Sequence, residues 1–228
     1  MTVTATPEEP PAFNLTEVDR QVLAQTDEEF ILHDWDDLKS IIARNDLGIL
    51  KRKPSDLIRY LAWSKQTKLE YGTITNYICQ QRLGWHIPTS TTASTGTGTV
   101  VTDSGPVFPF KNPVPFADPS DYKILRNDWP YGVSPGISHL VVWLRTPVPV
   151  KPENGDVTDE SRALIEGFVQ RTFGERLVGE KDAGDRVLWF KNWTALQSVR
   201  SLEHIHVLLR DVPEDLLWEW TGEGTPVH

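Results

Sequence analysis

The chain has one cysteine, Cys79, in 228 residues. A single thiol cannot close an intramolecular disulfide, and it cannot supply the paired thiolates of a Cys-based zinc site. Long apolar runs are missing too: no segment approaches the roughly 18 residues that a bilayer crossing needs. The stretch from Met1 to Phe13 is acidic and proline-bearing, with neither a basic n-region nor an apolar h-region. No secretory signal is expected there, and the expected compartment is the cytoplasm, with the nucleus as the alternative. Positive charge is also scarce. Lys and Arg total 23 against 32 Asp and Glu, for a net charge of −9. A duplex nucleic-acid partner is not expected, because neutralising phosphates takes a basic stripe. The one local cluster, Lys51-Arg52-Lys53, reads as a solvated helix start.

What is present describes an ordinary globular chain of one domain with a small appendage. Residues 1–50 read as a partly disordered, partly helical arm. Thr16 is placed to cap a helix through Leu23, and Thr26 or Asp27 to cap a second segment. Asp34, Asp36 and Asp37 around Trp35 fit a helix N-terminal turn that complements the macrodipole. Residues 51–87 read as a helical hairpin. Its first helix opens at Pro54, where a missing N–H costs nothing, and Leu57, Ile58, Leu61 and Ala62 supply its apolar face. The second runs from Thr73 to Leu83 and stops at Gly84. Residues 88–119, rich in Ser, Thr, Gly and Pro, read as a linker or long loop.

From residue 120 to 228 the pattern is α+β. Ser138 to Arg145 alternates, with His139, Val141 and Trp143 on one face and Leu140, Val142 and Leu144 on the other. Thr158 is placed to cap a helix from Asp159 to Phe173. Arg186–Lys191 and Leu202–Leu209 read as strands, and Pro213 opens a short terminal helix. These lengths suit an antiparallel sheet of two hairpins crossed by one helix, with a helical N-terminal extension.

The chemistry points to His204 and His206. Two apart on a strand, they share a face, while Ile205, Val207 and Leu209 take the core side. The imidazoles are thereby expected to look out toward a cleft or solvent. Two such rings can act as nucleophile and proton carrier, or as metal ligands. His139 on the neighbouring alternating segment could complete a three-histidine metal site, for which a divalent cation would be the cofactor. Asn127 and Trp129, beside a Pro-Tyr turn, are the best candidates for exposed ligand contacts. Gly96-Thr97-Gly98 lacks the lysine of a phosphate loop.

Two resemblances follow from motifs. Arg44-Asn45-Asp46-Leu47, Pro54 to Leu61, Asn127 to Gly132 and Leu202 to Val207 look like the fungal N-acetylglucosamine-induced protein family, whose molecular activity is uncharacterised. That resemblance spans roughly Arg44 to Arg210 and implies a link to amino-sugar metabolism. The C-terminal half also resembles the histidine-triad superfamily of nucleotide hydrolases and transferases. Asn192 and the Gln197-Ser198-Val199 turn precede the histidine strand, and Asn127 to Tyr131 followed by Gly136-x-x-His139 resembles its other hairpin. The triad's first histidine is replaced by Leu202, and its turn glycine by Leu196.

The histidine-triad resemblance implies a nucleotide or nucleotide-sugar phosphohydrolase or transferase. His204 would be the nucleophile and His206 its assistant. Asn192, Gln197, Ser198, Lys191, Asn127 and Trp129 would hold phosphate or the rest of the ligand. Two alternatives stand beside it: a non-catalytic binding or regulatory protein, for which Leu202 is the argument, and the three-histidine metalloprotein.

Overall fold

Caps and alternation account for most of the elements. In the computed structural model, which describes residues 15–87, 100–102, 105–177, 185–193 and 196–224, Thr16 and Asp19 form a capping box that opens α1 (Glu17–Leu23). Asp34 caps α2 (Trp35–Ala43), its side chain accepting from the Asp37 N–H at 2.9 Å. The carboxylates at 34, 36 and 37 therefore sit in a first helical turn, as their spacing suggests. Pro54 opens α3 (Pro54–Tyr71), and Gly72 ends it. The next helix, α4 (Ile74–Tyr77), continues as a π-helical turn over Ile78–Leu83. It closes at Gly84, whose φ of 67° is left-handed, where a Cβ is disfavoured. A two-stranded ribbon follows, β1 (Val100–Thr102) with β2 (Gly105–Val107).

The principal sheet comprises β3 (Tyr122–Arg126), β4 (Ile137–Leu144), β5 (Val187–Phe190) and β6 (Glu203–Arg210). Its order is β3-β4-β6-β5, and every neighbouring pair is antiparallel. Thr158 caps α5 (Asp159–Val169), which connects the two hairpins, and α6 (Glu214–Thr221) follows β6. The α+β class and the paired hairpins with a helix between them are thus as expected.

Both faces of the central strands are covered. On one, Leu140, Val142, Ile205 and Val207 pack against Ile165 and Phe168 of α5 and Leu217 of α6. On the other, Val141, Trp143 and Leu202 meet Ile74, Ile78 and Leu83, while Leu208 and Phe190 meet Trp35, Leu38 and Ile41 of α2. This second layer corrects the expectation that the histidine face opens outward. His139, His204 and His206 are 6%, 5% and 6% exposed, because the N-terminal helices use that face as their own hydrophobic seat.

Other differences have local causes. The segment after Thr26 forms a turn and no helix: Thr26 and Glu29 exchange capping bonds, but the Asp27 carboxylate is taken by Ser55 and Lys53. The buried face of α3 is Leu57, Tyr60, Ser64 and Thr67, and Ile58 is 58% exposed. The face is turned because hydroxyl-bearing side chains, which an apolar pattern discounts, are the ones that dock. Of the stretch read as linker or loop, residues 88–99, 103 and 104 lie outside the described residues, as do the first 14 of the arm. Phe108 and Phe116 are buried, and the Asp121 carboxylate accepts from the backbone N–H groups of Lys111 and Asn112.

Phe168 tests the α5 side of the core. It is 2% exposed, stacks on Phe116 at 4.5 Å and meets Tyr122 edge-on at 5.0 Å. Phe168→Ala is expected to lower stability by about 3–5 kcal/mol in urea denaturation. Trp218→Ala, at a 60% exposed position, should stay within about 0.5 kcal/mol of the parent.

Candidate functional site

Between the sheet and the N-terminal helices lies a narrow cavity of about 80 Å³, with His204, His206, Asn192, Asn127, Tyr131 and Trp143 in its wall. Cross-strand register builds it: Trp143 pairs with His204 and Val141 with His206. Alternation then aims all four side chains at the same face. Trp143 lies against the His204 ring at 4.7 Å between centroids, and Phe190 stacks on His206 at 4.8 Å and 8°.

The hydrogen bonds give the imidazoles different roles. His204 Nδ1 lies 2.8 Å from the Leu202 carbonyl oxygen. A carbonyl only accepts, so Nδ1 carries the proton and donates it. That leaves the Nε2 lone pair of His204, in the cavity wall, with no hydrogen-bond partner among the described residues. His206 is occupied on both sides: Nδ1 is 2.9 Å from His139 Nε2, and Nε2 is 3.2 Å from the Asn192 amide. The same end of that amide bonds the Tyr131 hydroxyl at 2.9 Å, and its other end is buried with no partner. Whichever way the amide is turned, one polar group of Asn192 is left unsatisfied, which is costly in a buried position unless a ligand answers it.

Burial sets the charge. It lowers His139 from 6.5 to about 3, with the Arg52 charge adding to the effect. It lowers His204 as well, against the opposing hydrogen bond of Leu202, and it holds His206 well below 6.5 with help from His139 and His204. All three rings are neutral at pH 7, the state a nucleophile requires and a general acid does not.

The expected site residues do not all converge. Asn127, Trp129, Asn192 and Ser198 line the cavity with the histidine pair. Lys191 does not: its ammonium is paired with Glu203 at 2.8 Å on the far side of the strand's alternation. Gln197 donates to the Asn192 carbonyl at 2.8 Å and stands in the wider cleft outside. Trp129 is half-buried, packed on Trp63 at 5.2 Å and Tyr60 at 5.6 Å. The three-histidine metal site is not formed. His139 and His206 turn ring nitrogens toward each other across a shared proton, and among the described residues no three His, Cys, Asp or Glu side chains are grouped to hold a metal ion.

Arg52 was read as part of a solvated helix start and is instead a wall of the site. Its Nε donates to the Trp129 carbonyl at 3.1 Å, and its guanidinium lies 4.1 Å above the Tyr60 ring. Arg82, also in the wall, is held by Asp128 and Glu223. These two contacts bridge 77 and 46 residues of sequence, so only the run Asn127–Tyr131 signals them.

Residues 34–210 match the model of a family described as a protein of unknown function, DUF3605. The chain belongs to this family. The matched span of the DUF3605 protein runs from α2 through β6 and includes every cavity residue named above. N-acetylglucosamine-induced protein 1 of Candida albicans is 32% identical to it over 196 residues, 84% of this chain and 73% of that protein. The resemblance read from the motifs of residues 44–210 is therefore correct. An uncharacterised protein of Saccharomyces cerevisiae is 29% identical over 175 residues, 77% of each chain. A crystal structure titled HTC1 superposes with a TM-score of 0.57 at 29% identity, over 80% of this chain and 86% of that one. Among the described residues no helix is long and apolar enough to cross a membrane.

For this DUF3605 protein the buried histidines predict a pH dependence. His139 titrates at 6.5 when unfolded and at about 3 when folded. Between those values the unfolded chain binds a proton that the folded chain refuses, so stability falls as pH is lowered from 6.5. The slope is about 1.4 kcal/mol per pH unit for each imidazole so held. Chemical denaturation at pH 6.5, 6 and 5 should show this loss, and His139→Gln should reduce the slope by one proton's worth. A slope unaffected by the substitution would contradict the assignment.

Proposed function

We propose that the protein is a phosphohydrolase or nucleotidyltransferase acting on a nucleotide or nucleotide sugar, with His204 as its nucleophile. The observation that carries this is the state of His204: neutral, fixed through Nδ1 to the Leu202 carbonyl, with an unpartnered Nε2 on a ring that lines a cavity. An imidazole so held cannot rotate to protect its lone pair, and it has no proton to lose before attack.

In the proposed step, the Nε2 lone pair forms a bond to phosphorus and the bond from phosphorus to the leaving oxygen breaks with its electron pair. The leaving group takes a proton from water. The phosphorylated ring keeps its Nδ1 proton and becomes cationic, a charge that the Leu202 carbonyl dipole stabilises. Water or an acceptor hydroxyl then bonds to phosphorus, the N–P electron pair returns to Nε2, and the proton of the attacking oxygen goes to the hydroxide that the first step left. The unsatisfied end of Asn192, the Ser198 hydroxyl and Arg52, all on residues that line the cavity, would hold phosphate oxygens.

His206 has no lone pair to offer. Bound by His139 and Asn192 and stacked on Phe190, it positions Asn192 and packs edge-on to His204 at 5.2 Å. A second reading, a binding protein without turnover, draws on Leu202, which is 2% exposed and apolar where a further imidazole would stand.

The test is acid-quenched labelling with α-³²P-labelled nucleotides and labelled nucleotide sugars, the ligands chosen by thermal shift. Wild-type protein is expected to carry acid-labile label on histidine. His204→Gln should carry none and turn nothing over, whereas His206→Gln should label slowly. Turnover by His204→Gln would end the nucleophile assignment. Binding without label or turnover in the wild type would establish the binding protein instead.

A further inference from the structure

The narrow cavity adjoins a wider cleft of about 580 Å³, and Arg52, Tyr60, Tyr131, Ser198 and Val199 line both. The outer cleft is strongly cationic. Lys51, Arg52, Lys68 and Arg200 line it, against one carboxylate, Asp19. That carboxylate is already engaged, accepting from the Thr16 backbone N–H at 3.0 Å and hydroxyl at 2.7 Å. In a chain of net charge −9, four cations around one concave surface make a local positive field that draws anions in.

Two of the cations make no direct contact with a carboxylate. Neither Lys51 nor Arg200 forms an ion pair or side-chain hydrogen bond with any described residue. Lys51 is only partly exposed, and burial lowers its pKa below the usual 10.5. The Asp19 charge opposes that shift only in part, and the neighbouring Arg52 adds to it; a bound anion would relieve a half-desolvated ammonium so placed.

We propose that this outer cleft binds a second phosphate, so that the substrate carries a diphosphate, its inner phosphoryl group at His204 and its outer one among Lys51, Arg52 and Arg200. The inner placement rests on the nucleophile assigned above; the outer site stands on the shape and charge of the cleft alone. Arg52, common to both linings, lies where one diphosphate would bridge them. A simple phosphate monoester would leave the outer cations unanswered.

The test is calorimetric titration of the full-length protein with inorganic pyrophosphate and, separately, inorganic phosphate. Wild type is expected to prefer pyrophosphate by ten-fold or more, with the preference shrinking as salt is raised. K51Q/R200Q should lose that preference, and R200Q alone, at an exposed position, should lose part of it with an unchanged melting temperature. His204→Gln should keep it, so a protein that never forms labelled histidine can still show the outer site. Equal affinity for the two anions, no pyrophosphate binding, or a preference retained in K51Q/R200Q would each overturn the proposal.

Discussion

Strands β4 and β6 are buried on both faces, and on one face they carry three imidazoles that are almost wholly shielded from bulk solvent. Ordinarily a sheet with polar groups on one side leaves that side to solvent. Here the N-terminal helices cover it, so each ring must find its hydrogen bonds inside the protein or face a ligand. His139 and His206 satisfy one another and the Asn192 amide. His204 satisfies one nitrogen only.

That asymmetry is what singles out His204, of the three, as the candidate for chemistry. The covering layer lowers the pKa of all three rings and so keeps them neutral, and it also shapes the cavity that His204 faces. Tyr60 comes from α3 and Arg52 from the segment leading into it, while Tyr131 and Trp129 come from the turn between β3 and β4. Removing the N-terminal layer would therefore do more than expose apolar surface. It would hydrate the imidazoles and erase the outer cleft, whose cations Lys51 and Lys68 belong to that layer.

Local patterns in the sequence were readable wherever a residue's neighbours in space were its neighbours in the chain. Thr16, Asp34 and Thr158 each cap the helix they precede, and alternation along 138–145 assigned both faces of β4 correctly. The histidine pair could likewise be placed on one face of β6. Its burial could not, because the covering elements lie more than 100 residues upstream and announce no docking surface. The buried side of α3 is partly Ser64 and Thr67, whose hydroxyls look solvent-directed in a pattern of apolar spacing. Lys191 misled for a related reason. It is adjacent to Asn192 in sequence, yet it points toward Glu203 and out of the cavity. Arg52, 77 residues from the carbonyl it bonds, looked like one of three equivalent surface charges.

The protonation state of His204 is the point on which the functional account turns. Nitrogen-detected NMR of the imidazole rings in protein labelled with ¹⁵N-histidine reads it directly. At pH 7, His204 is expected to be a neutral ring with its proton on Nδ1 and a bare Nε2, and to gain its second proton only below 6.5. A His204 signal that titrates near 6.5, or one whose proton sits on Nε2, would contradict the account.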